Sequence, residues 1–173
     1  MTYKLSFIAF VLSFFGFASC HDTGPDLNNT ITALKDSIAW TAQVRAVFEE
    51  ATGDSLITII ADAYYDHSSI SEDLDFTNIP PRAGLYTLHP HTIFTLPSRV
   101  YSSLYEVEGG DVLYATYKLD TTMTNWLSIE SYDPISRKIV ASFQASYISP
   151  AHNQFPELKT TFTEGKIMAV VED

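Results

Sequence analysis

Residues 139–148 alternate without interruption. Ile139, Ala141, Phe143, Ala145 and Tyr147 share one face, and Ser142, Gln144 and Ser146 take the other. Period-two alternation with one dry and one wet face belongs to a strand of an antiparallel sheet. Just before it, residues 125–132 set Leu127 and Ile129 against Ser128 and Glu130. The link Asp133-Pro134-Ile135-Ser136-Arg137 is turn chemistry, because proline presets its dihedral and aspartate bonds nearby backbone. The two segments therefore read as a hairpin.

The same pattern recurs along the chain. Ile57, Ile59, Ala61, Ala63 and Tyr65 fall on one side of 56–65, with Thr58 and Asp62 opposite. Further strands are expected at 39–49, 84–88, 100–107, 112–119 and 162–171. Turns are expected at Thr52-Gly53-Asp54 and Glu108-Gly109-Gly110-Asp111. The polar stretch 66–82 ends in Pro80-Pro81 and reads as a long loop with one short strand; 151–156 reads as a second loop. Only 29–37 admits a helix. The expected fold is all-β, an antiparallel β-sandwich of about 8–10 strands, with a small lipocalin-like β-barrel as the alternative.

The first residues set an address. Lys4 precedes an apolar run of 13 residues, 5–17, followed by the small Ala18 and Ser19 and then Cys20. That order is a secretion signal, and the run is shorter than the roughly 20 residues a spanning helix needs. Cys20 is the sole cysteine, so no disulfide forms within the chain and the core alone must stabilise the domain. A cysteine directly after the cut resembles the lipobox of bacterial lipoproteins, whose cysteine carries the lipid. The division that follows is a signal peptide at 1–19, a lipidated N-terminus and flexible tether at 20–37, and one β domain at 38–173.

The chain also resembles a group of small Bacteroidota lipoproteins with a domain of unknown function. The shared parts are a Trp-x-Ala entry strand, here Trp40-Thr41-Ala42, and a closing β-meander. The meander comprises Leu127-Ser128-Ile129 with Tyr132-Asp133, then Lys138-Ile139-Val140-Ala141-Ser142-Phe143, then Thr163-Glu164-Gly165-Lys166-Ile167. The resemblance implies an all-β envelope protein, held at the outer membrane by a lipid on Cys20. It implies no activity.

Charge and motifs narrow the function classes. With 21 acidic and 10 basic residues the formal charge is −11, which opposes binding to nucleic acid or to anionic lipid through a basic patch. No Gly-x-Ser-x-Gly elbow, His-Glu-x-x-His pair or phosphate-cradling glycine loop occurs, so the reading is not an enzyme. His89-Pro90-His91 places two imidazoles on one face, but no third ligand is specified from His67, His152 or an acid. Asp62, Asp66, Glu72, Asp73 and Asp75 make an acidic stretch, and Glu72-Asp73-Leu74-Asp75 lacks the glycine that turns a calcium loop. No metal and no cofactor are assigned. Tyr101 and Tyr105 share a strand face, and Trp126 faces away from Leu127; these three are the candidate ligand surface, set against ordinary sheet packing. The expected function is a non-catalytic binding or structural accessory of the cell envelope, for a glycan, a peptide or another envelope protein. The alternative is a carrier of a small apolar ligand inside a barrel.

Overall fold

The computed structural model describes residues 29–51, 54–65, 69–92, 95–109, 112–149 and 158–172. The expected signal, Cys20, His67, Asp66, His152 and the loop at 151–156 lie outside them.

Ten strands and no helix make up these residues. They are β1 (Thr30–Lys35), β2 (Ile38–Ala51), β3 (Asp54–Tyr64), β4 (Ile70–Ile79), β5 (Gly84–Pro90), β6 (Val100–Glu108), β7 (Val112–Leu119), β8 (Trp126–Tyr132), β9 (Lys138–Ile148) and β10 (Lys159–Glu172). The all-β class is as expected, but the sandwich is not. The strands form one sheet that closes on itself, in the ring β1-β2-β3-β4-β6-β5-β8-β9-β10 and back to β1. The architecture is a closed nine-strand β-barrel, with β7 bridging β6 and β9 at one end. A closed sheet and a two-layer sandwich share the same alternation, and what separates them here is β10, which pairs with β1 and with β2 to close the ring.

That closing strand comes from the stretch read as a tether. Ile31 and Ala33 are buried and point into the barrel. Asp36 and Ser37 then turn the chain with φ of 50° and 70°, the two positive values that a tight hairpin turn requires. A helix over 29–37 would scatter those two apolar residues, whereas strand β1 stacks both on the core side. The second difference is β4, which replaces most of the expected loop at 66–82. Its outward residues are acidic and its inward set includes Glu72, so the alternation is masked in the sequence.

The barrel is filled. Phe76 and Phe143 meet edge to face at 5.1 Å, Trp40 and Phe162 at 5.0 Å, and Tyr147 and Phe162 at 6.0 Å. Around them pack Ile57, Ile59, Leu74, Leu104 and Leu127, all inaccessible to solvent. Gly165 lies opposite Phe143 across the β9–β10 pair, and a Cβ there would fall 2.3 Å from the phenyl ring. The glycine makes room for the ring, and Glu164 beside it absorbs the bulge with φ of 54°.

The outer face is mixed. Arg45, Asp62, Asp73 and Lys166 face away from the core, and so do the exposed Ile38, Tyr64, Leu85, Val112 and Leu113. Charges spread over the outer wall around an apolar interior differ from a barrel whose outer wall meets lipid tails.

Candidate functional site

An open surface groove arises where two strands share one partner. β7 pairs with the end of β9 through Leu119↔Tyr147, and β8 takes over from Trp126↔Gln144. Residues 120–125 bulge out of the sheet between them. The bulge is held from within. Asn125 Nδ2 donates to the Asp120 carbonyl at 2.7 Å, and the Ser146 amide donates to Asn125 Oδ1 at 2.8 Å. The Asp120 carboxylate accepts from the Thr122 amide and hydroxyl at 3.0 and 2.6 Å, and pairs with Lys159 at 2.6 Å. The hydrogen bond from Lys159, with those from Thr122, holds the Asp120 carboxyl down at about 2.

This bulge and the outer faces of β5, β8 and β9 enclose a groove of about 710 Å³. Its floor is the sheet surface. Trp126 sits beside Thr87 on β5 and Gln144 on β9, and in the next row Ser128 lies between Leu85 and Ser142. Leu85 is 72% and Met123 42% exposed, so the walls stand in solvent. Among the described residues no aspartate, glutamate, lysine or arginine lines the groove, and His89 is the one titratable side chain that does. Burial, then the charge of Arg99, lowers the His89 pKa below the ordinary imidazole value.

The three aromatic candidates occupy three different settings. Trp126 is half-buried within the groove. Tyr101 is only 4% exposed. Its hydroxyl accepts a hydrogen bond from the Leu96 amide at 2.6 Å, and its ring lies 6.2 Å from His89 and 6.1 Å from His91. The two imidazoles of His89-Pro90-His91 thus flank a tyrosine. Tyr105 is half-buried on the outer face of β6, opposite Asp73. Leu85, Thr87 and Met123 were not singled out by sequence. Only Met123 carries a signal, in Asp120-Thr121-Thr122 with Asn125 close behind, side chains that bond their own backbone and favour irregular loops.

The acidic residues also separate. Asp62 and Asp73 stand directly opposite each other on the outer face of β3 and β4, with Asp75 next along. Burial, then the charges of Asp73 and Asp62, raises the Asp75 carboxyl to about 7 despite Arg45 nearby. Glu72 instead points inward and is 1% exposed. It forms an ion pair with Lys35 and accepts from the Tyr65 hydroxyl at 2.8 Å. Burial pulls the Lys35 ammonium down, but Glu72 outweighs it and keeps the pKa above its ordinary value. Among the described residues no group of three histidine, cysteine or acidic side chains is placed to hold a metal ion.

No family model, curated protein or solved structure matches the chain.

Proposed function

We propose that this chain is a lipoprotein of the cell envelope, anchored in the outer membrane through Cys20, whose barrel is a non-catalytic binding accessory. The ligand surface in this reading is the outer groove around Trp126. The observation that carries it is the contrast between a barrel interior occupied by Phe76, Phe143, Phe162 and Tyr147 and an open groove of about 710 Å³ on the outside. The closed barrel is the architecture of a carrier, and that favours the second reading, an apolar ligand held inside. The filled interior weighs against it, since a ligand would have to displace close-packed rings.

The anchor and the groove are tested together in the full chain. Cys20→Ser is expected to abolish labelled-palmitate uptake and release the protein from membranes, while Trp126→Ala leaves fractionation unchanged. A Cys20→Ser protein that still sediments with membranes, alongside wild type that takes up no palmitate, counts against the anchor. Uptake of one equivalent of a fluorescent fatty acid, unaffected by Trp126→Ala, favours the carrier.

A further inference from the structure

Resting on that reading of the groove, we infer that its ligand is an uncharged saccharide chain, with one sugar ring stacked on Trp126. The argument starts from charge. The chain carries 21 acidic and 10 basic residues, yet among the described residues none of them lines the groove. A phosphate, a carboxylate or an ammonium group entering there meets no acidic or basic side chain in the wall, and Arg99 reaches the groove only as a charge felt by His89. Charged ligands draw much of their affinity and specificity from such partners, and the net charge of −11 repels anions as they approach.

The chemistry of the floor narrows the class further. Trp126 offers an apolar face, and its cross-strand neighbours are Thr87, which lines the groove, and Gln144, whose amide donates to the Thr124 carbonyl. Ser128 and Ser142 follow in the next row. A wholly apolar ligand would strip water from these hydroxyls and return no hydrogen bond, which is unfavourable. A ligand with flat C–H faces and a rim of hydroxyls satisfies both halves, and a sugar ring has that form. A peptide bound by strand addition is recognised through its main chain at an open sheet edge. Here β8 is hydrogen-bonded on both sides, to β5 and to β9, so the groove floor offers side chains and no free backbone. Leu85, 72% exposed beside Ser128, extends the apolar floor into solvent.

The test is affinity electrophoresis of the full chain in detergent against a β-glucan, a mannan, a starch and polygalacturonate. At least one neutral polymer is expected to retard the wild type, with the retardation unchanged by 0.5 M salt, and polygalacturonate to have no effect. Trp126→Ala is expected to weaken the binding at least tenfold and Trp126→Phe to retain part of it, both with a cooperative melting transition within a few degrees of wild type. Preference for polygalacturonate, failure of all three neutral polymers, or equal retardation of Trp126→Ala each overturns the saccharide assignment. The two levels remain distinguishable by cross-linking in envelope extracts. If no polymer binds but a protein is captured by wild type and not by Trp126→Ala, the saccharide class falls and the groove reading stands. If neither occurs, both fall.

Discussion

The outer face of β5, β8 and β9 holds a groove that no charged side chain lines among the described residues, whereas the outer face of β3 and β4 carries Asp62, Asp73 and Asp75. Both faces belong to one barrel and cover the same apolar interior. On the acidic face like charges stand opposite each other, which destabilises a sheet, and Asp75 is held near neutrality with its pKa at about 7. On the groove face Trp126 is half-buried at no such cost. The acidity that dominates the composition is therefore unevenly spread. It serves solubility on one side and is kept away from the surface where a neutral ligand would rest.

The largest expected effect separates interior from groove. Phe143→Ala removes a fully buried ring that touches Phe76 and Phe162, and should cost about 4 kcal/mol in denaturant unfolding. Trp126→Ala, on the outer face, should cost about 1 kcal/mol or less. Equal losses would mean that the groove is structural. Next in size is the inward ion pair. Lys35→Ala leaves Glu72 charged and enclosed, and a loss of about 3 kcal/mol is expected; the exposed Lys159→Ala should cost much less. A Lys35 variant as stable as wild type would show that Glu72 finds water or another partner.

The acidic face should show itself in pH dependence. Because folding raises the Asp75 pKa from 3.8 to about 7, the folded state holds a proton that the unfolded chain releases. Stability is then highest near pH 4, falls as pH rises toward 7 and levels off above it. Asp75→Asn should flatten that slope and be more stable than wild type by about 2 kcal/mol at pH 8; an unchanged slope between pH 5 and 8 would dissociate Asp75 from it. The smallest effect is Asp62→Asn, which relieves the opposition to Asp73 and should add about 0.5 kcal/mol at pH 8. Destabilisation there would make the acidic pair a bound feature of the face.

Much of the barrel wall was legible. The expected strand at 139–148 matches β9 to one residue, and all five of its apolar positions are buried. The turn before it also behaves as its residues imply. Asp133 accepts from the Ile135 amide at 2.9 Å and from the Ser136 hydroxyl at 2.6 Å. What escaped reading has identifiable causes. In β1 only Ile31 and Ala33 mark the inward face, too few to outweigh the polar residues around them. In β4 the inward Glu72 breaks the pattern, because its partner Lys35 is 37 residues away in sequence. Closure of the sheet depends on β1 meeting β10, a contact that local alternation does not encode. Of the three aromatic residues the sequence offers as a ligand surface, one lines the groove. Trp126 faces the groove, but the shared face of Tyr101 and Tyr105 is covered by His89 and His91 at one residue and bordered by Asp73 at the other.

Trp40 lies in the filled interior at 6% exposure, while Trp126 lies half-buried in the groove, so the two report on the two regions separately. Acrylamide quenching of tryptophan emission, with and without a bound neutral polysaccharide, reads which region the ligand occupies. Occupation of the groove predicts that the polymer lowers the quenching constant of the wild type and leaves the emission of Trp126→Phe, which reports Trp40 alone, unchanged. A ligand that alters Trp40 emission in Trp126→Phe, or that binds the wild type without protecting Trp126, would contradict it.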